Sequence, residues 1–174
     1  MYLTKSIHGI KYFFKLFLSV PLLLMSSVSL GADNNIEIVG TVIAPPPCRL
    51  NNNEVINVDF GNSIGVKKVA SGQYRQEIVL DLTCDAYNDA WQLTLKVTGL
   101  AVDFDSDNAT LQTAEKSDLG IKLYADGKAF PLLTAINING TVLPKVEAVL
   151  VQREGVELTE GPFTAKAILK AEYQ

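Results

Sequence analysis

Two cysteines, Cys48 and Cys84, are the residues whose type and number most clearly suggest covalent chemistry. An even cysteine count in an exported chain argues for one disulfide between them. Closing that loop would contribute about 3–4 kcal/mol by restricting the unfolded chain. A zinc centre does not fit, because two thiolates cannot fill four positions. The single histidine, His8, falls within an N-terminal export signal. Without histidine in the remainder, no Ser-His-Asp or Cys-His device can form. Paired carboxylates occur, but no spacing singles out two of them for acid–base work. The run Asp103-Phe104-Asp105-Ser106-Asp107-Asn108 starts like an EF-hand loop. It has Asn108 where the loop's glycine belongs and Ala114 where its glutamate belongs, so it reads as a solvated loop rather than a calcium site. Trp91 could stack on a sugar, but a core position near the disulfide suits it better. Asn108-Ala109-Thr110 and Asn139-Gly140-Thr141 match a glycosylation pattern that arises often by chance. No cofactor, metal or small-molecule substrate is expected.

The elements that must carry these residues are short. The start of the chain, residues 1–31, reads as a secretory signal. Lys5, Lys11 and Lys15 precede the apolar stretch Leu16–Met25. That stretch is about ten residues long, too short to span a bilayer. Ser29 and Gly31 place cleavage after Gly31, leaving residues 32–174 as one domain with its extension. Net charge is −4, and loss of the leader lysines makes the rest more acidic. No basic stripe is available for nucleic acid. Alternating or apolar runs punctuated by turn residues predict an all-β fold. Strands are predicted over Val55–Phe60, Gln76–Cys84, Trp91–Val97, Leu119–Tyr124, Val146–Val151 and from Phe163 onward. Asp126-Gly127 predicts a hairpin turn after Tyr124. About six or seven strands, with the short pieces near Val142, suit an immunoglobulin-type β-sandwich.

Two alternating runs lie at opposite ends. In Gly161–Gln174, the residues Phe163, Ala165, Ala167, Leu169, Ala171 and Tyr173 share one face. With no later strand to cover it, this run would expose an apolar edge that invites a partner. Near the start, Ile36, Ile38, Gly40 and Val42 also share a face. Pro45, Pro46 and Pro47 then separate that run from Cys48 as a stiff spacer that cannot join a ladder. A detached apolar strand and an uncovered edge in one chain suggest head-to-tail pairing between copies or relatives, an arrangement that grows open filaments. An ordinary first and last strand paired within one domain remains the plainer alternative.

Together these pieces resemble the pilin subunits of chaperone–usher fimbriae, the group that includes type 1 and P pili. The resemblance covers Ala32 to Gln174. It rests on the extension Ala32–Val42 with Gly40, the Cys48/Cys84 pair, and Val58-Asp59-Phe60-Gly61. It also rests on Leu119-Gly120-Ile121 and on Gly161, Phe163, Ala165 and penultimate Tyr173. The stretch from Asp126 to Glu160 matches loosely, and the triple proline looks longer than usual. The resemblance implies an incomplete immunoglobulin-like sandwich lacking its last strand, completed by a donor strand from a partner. It implies residues 32–47 as donor extension with spacer and residues 48–174 as the pilin domain. Ile36, Ile38, Gly40 and Val42 would form the donor strand. Gly161, Phe163, Ala165, Ala167, Leu169 and Tyr173 would form the strand that meets a periplasmic chaperone and later a neighbour. The implied partners are that chaperone, an outer-membrane usher and neighbouring pilins. The expected place is a fimbria on the bacterial surface, reached through the periplasm. Bulky apolar residues, rather than richness in Ala and Thr, point to a minor or adaptor subunit. The rival reading is a secreted, monomeric β-sandwich carbohydrate-binding module using Trp91 or the Asp103–Asn108 loop.

Overall fold

The computed structural model describes residues 36–87 and 90–174. The predicted signal and the first residues of the extension, through Asn35, lie outside them. The chain divides into a segment ending at Thr41 and a compact body, Val42–Gln174. Residues 36–41 carry neither helix nor strand.

Among the described residues the body has ten short strands: β1 Cys48–Leu50, β2 Arg75–Ile78, β3 Leu82–Cys84, β4 Leu93–Gly99, β5 Thr110–Gln112, β6 Leu119–Ala125, β7 Lys128–Ala129, β8 Ala135–Asn137, β9 Val146–Gln152 and β10 Ala167–Tyr173. Every named pairing is antiparallel. One sheet runs β10-β4-β8; another runs β2-β9-β6-β5, with β7 joined to β6; β1 and β3 form a small ribbon. Leu93, Leu95 and Val97 of β4 meet Leu123 of β6 and Val146 and Ala148 of β9 in one buried cluster with Phe130, Leu132 and Ile138. Two sheets sharing one core make the expected sandwich. A smaller cluster, Val69, Leu119 and Leu150, lies beneath half-buried Phe60, Ile64, Leu158 and Phe163.

The predicted Trp91–Val97, Leu119–Tyr124 and Val146–Val151 strands correspond to β4, β6 and β9. The hairpin turn holds Asp126 at φ +50° and Gly127 at φ +75°, the left-handed geometry that favours an Asp-Gly pair. The predicted Gln76–Cys84 strand is two strands. Ile78, Leu80, Leu82 and Cys84 do pack inward, but β2 pairs with β9 and β3 with β1. Between them, Asn51 replaces a ladder partner: its Nδ2 donates to Val79 O (3.1 Å) and its Oδ1 accepts from Asp81 N–H (3.0 Å). Asn51, Asn52 and Asn53 all hold positive φ, a turn that asparagine tolerates better than most residues. Val55–Phe60 is not a strand. Its alternation survives, with Ile56, Val58 and Phe60 turned partly inward, but among the described residues no strand pairs with it.

Candidate acceptor groove

The last strand occupies a sheet edge. β10 pairs residue by residue with β4, from Ala167↔Gly99 to Tyr173↔Leu93, and among the described residues nothing pairs with its other side. Its buried face closes progressively. Tyr173 and Ala171 are buried, Leu169 is half-buried, and Ala167 is exposed. Phe163 and Ala165, ahead of the strand, are also half-buried. Tyr173 is fixed at its closed end. Its ring lies 5.9 Å from that of Trp91, and its hydroxyl donates to Ala86 O at 3.3 Å. Trp91 therefore sits against the core, as its sequence position suggests. The Cys48–Cys84 disulfide joins β1 to β3 nearby.

The sequence places a strand from Phe163, but the ladder begins only at Ala167. Ahead of it, residues 158–163 form one wall of a cavity of about 720 Å³. Val58, Asp59, Phe60, Gly61 and Asn62 form the facing wall. The floor is Val69, Leu119 and Leu150, all nearly fully buried. The Phe60 and Phe163 rings face each other across it with centroids 6.3 Å apart. Neither wall has a ladder partner among the described residues, and Val58–Phe60 keeps a strand's alternation. Gly161, on the rim, has φ +126°, a conformation that other residues rarely adopt.

The candidate donor residues make no such packing. Ile36 is 84 % exposed, Ile38 90 % and Val42 100 %, and a side chain added at Gly40 would meet nothing within 4 Å. Large apolar side chains so exposed, in regular alternation, form an apolar surface that folded monomers rarely leave to water.

The acidic loop is occupied by the protein's own groups. Asp105 accepts from Lys122 Nζ (2.9 Å), Thr110 Oγ1 (2.6 Å) and Ala109 N–H (3.0 Å). Burial alone would raise its pKa, but these bonds outweigh that and hold it below the usual carboxylate value. Asp107 also takes Lys122, at 2.6 Å, and Asp103 takes Arg153. The carboxylates brace β6 and β9 against the loop. Sequence reasoning missed β5 and β8, three residues each, too short to show an alternation.

Comparison with known proteins settles what such a fold is. The sequence pattern of the fimbrial protein family matches residues 36–174. The chain belongs to the fimbrial protein family. An uncharacterised fimbrial-like protein of Escherichia coli K12, YfcQ, is 33 % identical over 92 % of this chain and 99 % of its own. The fimbrial adapter PapF of Escherichia coli is 34 % identical over 64 % of each chain. The solved structure of the P pilus adaptor subunit PapF superposes with a TM-score of 0.55 at 25 % identity, covering 75 % of this chain and 98 % of that one. This pilin is therefore a chaperone–usher fimbrial subunit with an immunoglobulin-like fold that lacks a strand, and it is similar to the adaptor PapF. As a fimbrial subunit it is exported through the periplasm to the cell surface and contacts other pilins there. The monomeric carbohydrate-binding reading is not favoured. The family is one of structural subunits rather than enzymes.

Proposed function

We propose that this pilin polymerises by strand donation. Residues 1–31 are removed on export, and residues 32–47 form a donor extension with a proline spacer. Ile36, Ile38, Gly40 and Val42 enter the groove of the preceding subunit. The pilin's own groove, between Val58–Asn62 and Gly161–Leu169, first accepts a strand of a periplasmic chaperone. At the outer-membrane usher it then accepts the extension of the next subunit. The observation that carries this reading is the pair of walls that face each other over the cavity without a ladder partner among the described residues, with Phe60, Leu158 and Phe163 packed on its apolar floor. An added strand supplies backbone partners to both walls at once and fills the space with alternate side chains. Each Ile or Val that becomes buried contributes roughly 1.5–3 kcal/mol, and the ladder hydrogen bonds of the added strand contribute beside them. Gly40 suits a point where the two backbones approach closely.

The test is exchange in vitro. A chaperone-bound pilin of the same system is mixed with a peptide spanning Ala32–Ala44, and chaperone release is followed on a native gel. Release by this peptide, and not by a scrambled one, is the expected result. A peptide that displaces chaperone from no acceptor of the system refutes strand donation.

A further inference from the structure

The groove wall formed by residues 158–165 has few anchors. Among the described residues, its hydrogen bonds run to three consecutive positions of the β5–β6 connection. Ala114 N–H donates to Thr164 O at 2.8 Å. The Glu115 carboxylate accepts from Thr164 N–H (2.6 Å) and from its hydroxyl (2.9 Å). Lys116 Nζ donates to Thr159 Oγ1 (3.2 Å) and Glu160 O (2.9 Å). The connection itself is stiff. Buried Thr113 donates its hydroxyl to Lys116 O (2.7 Å), with Leu119 O 3.1 Å away as the alternative acceptor, and Arg153 grips Asp118 at 2.6 Å. A rigid turn thus holds a wall that has no ladder of its own. Lys116 also lines the cavity, and its Nζ lies 3.5 Å from where a side chain on Gly161 would begin.

That wall carries Leu158 and Phe163, both half-buried over the apolar floor of Val69, Leu119 and Leu150. Apolar side chains over an apolar floor are driven to close on it, and the Phe163 ring already meets the Phe60 ring of the facing wall. Something must hold Leu158 and Phe163 back if the groove is to stay open for an incoming strand. We propose that Glu115 and Lys116 are positioning residues that keep the acceptor groove open, by clamping the Leu158–Thr164 wall to the β5–β6 turn. The proposal rests on the strand-donation reading above and assigns residues to its first step. Loss of the clamp lowers the fraction of subunits whose wall stays back as the chaperone strand leaves, and the apparent exchange rate falls with that fraction.

The experiment uses the chaperone-bound pilin and a fluorescent peptide of residues 32–44, with rates measured across peptide concentration. Lys116→Ala should slow exchange about tenfold at low peptide concentration. Lys116→Arg, which can still donate to Thr159 and Glu160, should stay near the wild-type rate. Thermal midpoints of the peptide-filled products should agree among the three, since the filled groove no longer depends on the clamp. A wild-type rate for Lys116→Ala overturns the clamp and leaves strand donation intact. Equal slowing in Lys116→Arg also overturns it. If Lys116→Ala does not fold, Thr159→Ala removes one clamp contact from the other side, and an unchanged rate there overturns the proposal. No exchange by wild-type protein overturns strand donation itself, and the clamp with it.

Discussion

A methyl group on Gly120 would collide with the Thr110 side chain and would stand 3.1 Å from Val102 Cγ1 and 3.2 Å from the Leu111 carbonyl. Backbone and a buried branched side chain cannot both yield, so Gly120→Ala should destabilise the fold by about 1–3 kcal/mol. Urea unfolding of the peptide-filled domain measures it. The glycine of the Leu-Gly-Ile element, noticed in the sequence only as a resemblance, thus has a steric reason. Tyr173→Ala removes a buried aromatic and its contact with Trp91, and should cost about 3–5 kcal/mol. Phe163→Ala should cost less stability, because Phe163 borders an open cavity. Both should reduce periplasmic yield with the chaperone, with Tyr173→Ala the more severe. Asp105 gives a pH dependence. Its folded pKa lies below the ordinary carboxylate value. Its stabilisation is therefore complete above about pH 4 and is lost as pH falls through the lower folded value. Lys122 moves the other way, raised above 10.5 despite burial by its bonds to Asp107 and Asp105. Its contribution is lost as pH rises through its folded value in strong alkali, and in acid it goes with the Asp105 partner that sustains it. Asp105→Asn should flatten the acid limb of a stability–pH curve while leaving neutral behaviour folded. An unchanged acid limb would show that other carboxylates set it.

At the scale of elements, long strands with one buried face were readable. β4, β6 and β9 are each seven residues long, and their apolar periodicity survives because a paired neighbour lies on each side. The sequence reading departed from the structure where a strand changes partner or has none. The Gln76–Cys84 pattern has unbroken inward alternation, yet Asn51 interrupts its ladder at Val79 and Asp81. No local signal in residues 76–84 announces an asparagine that arrives from elsewhere in the chain. Val55–Phe60 has the strand pattern without strand pairing, and Phe163–Lys166 shares that condition. These two runs were legible as strands because their sequences are shaped for a ladder. Among the described residues neither run has a ladder partner, the condition that the proposed strand donation would meet. The exposed run Ile36–Val42 has the complementary pattern. Deleting Asn34–Val42 should leave the body able to form a one-to-one complex with its chaperone, since that body's core draws nothing from those residues. The deletion should abolish the subunit's ability to cap a preceding one. Size-exclusion chromatography after mixing with a chaperone-bound acceptor reads both outcomes. A deleted protein that no longer binds chaperone would assign the run to its own sheet.

At the scale of the whole molecule, the body carries an unfilled groove and the sequence ahead of it an alternating apolar run. Under the strand-donation proposal these unlike surfaces pair head to tail, a contact that builds an open filament when its rotation does not close a ring. The central claim is that both walls of the groove wait for the same strand. Backbone amide exchange tests it directly, on the chaperone-free domain filled by the Ala32–Ala44 peptide and compared with the chaperone complex and with a scrambled-peptide control. Pairing along both edges predicts slowed exchange in residues 56–60 and 163–169 together, with the β6–β9 ladder unchanged. Protection along one wall only, or protection that the scrambled peptide reproduces, would contradict the account.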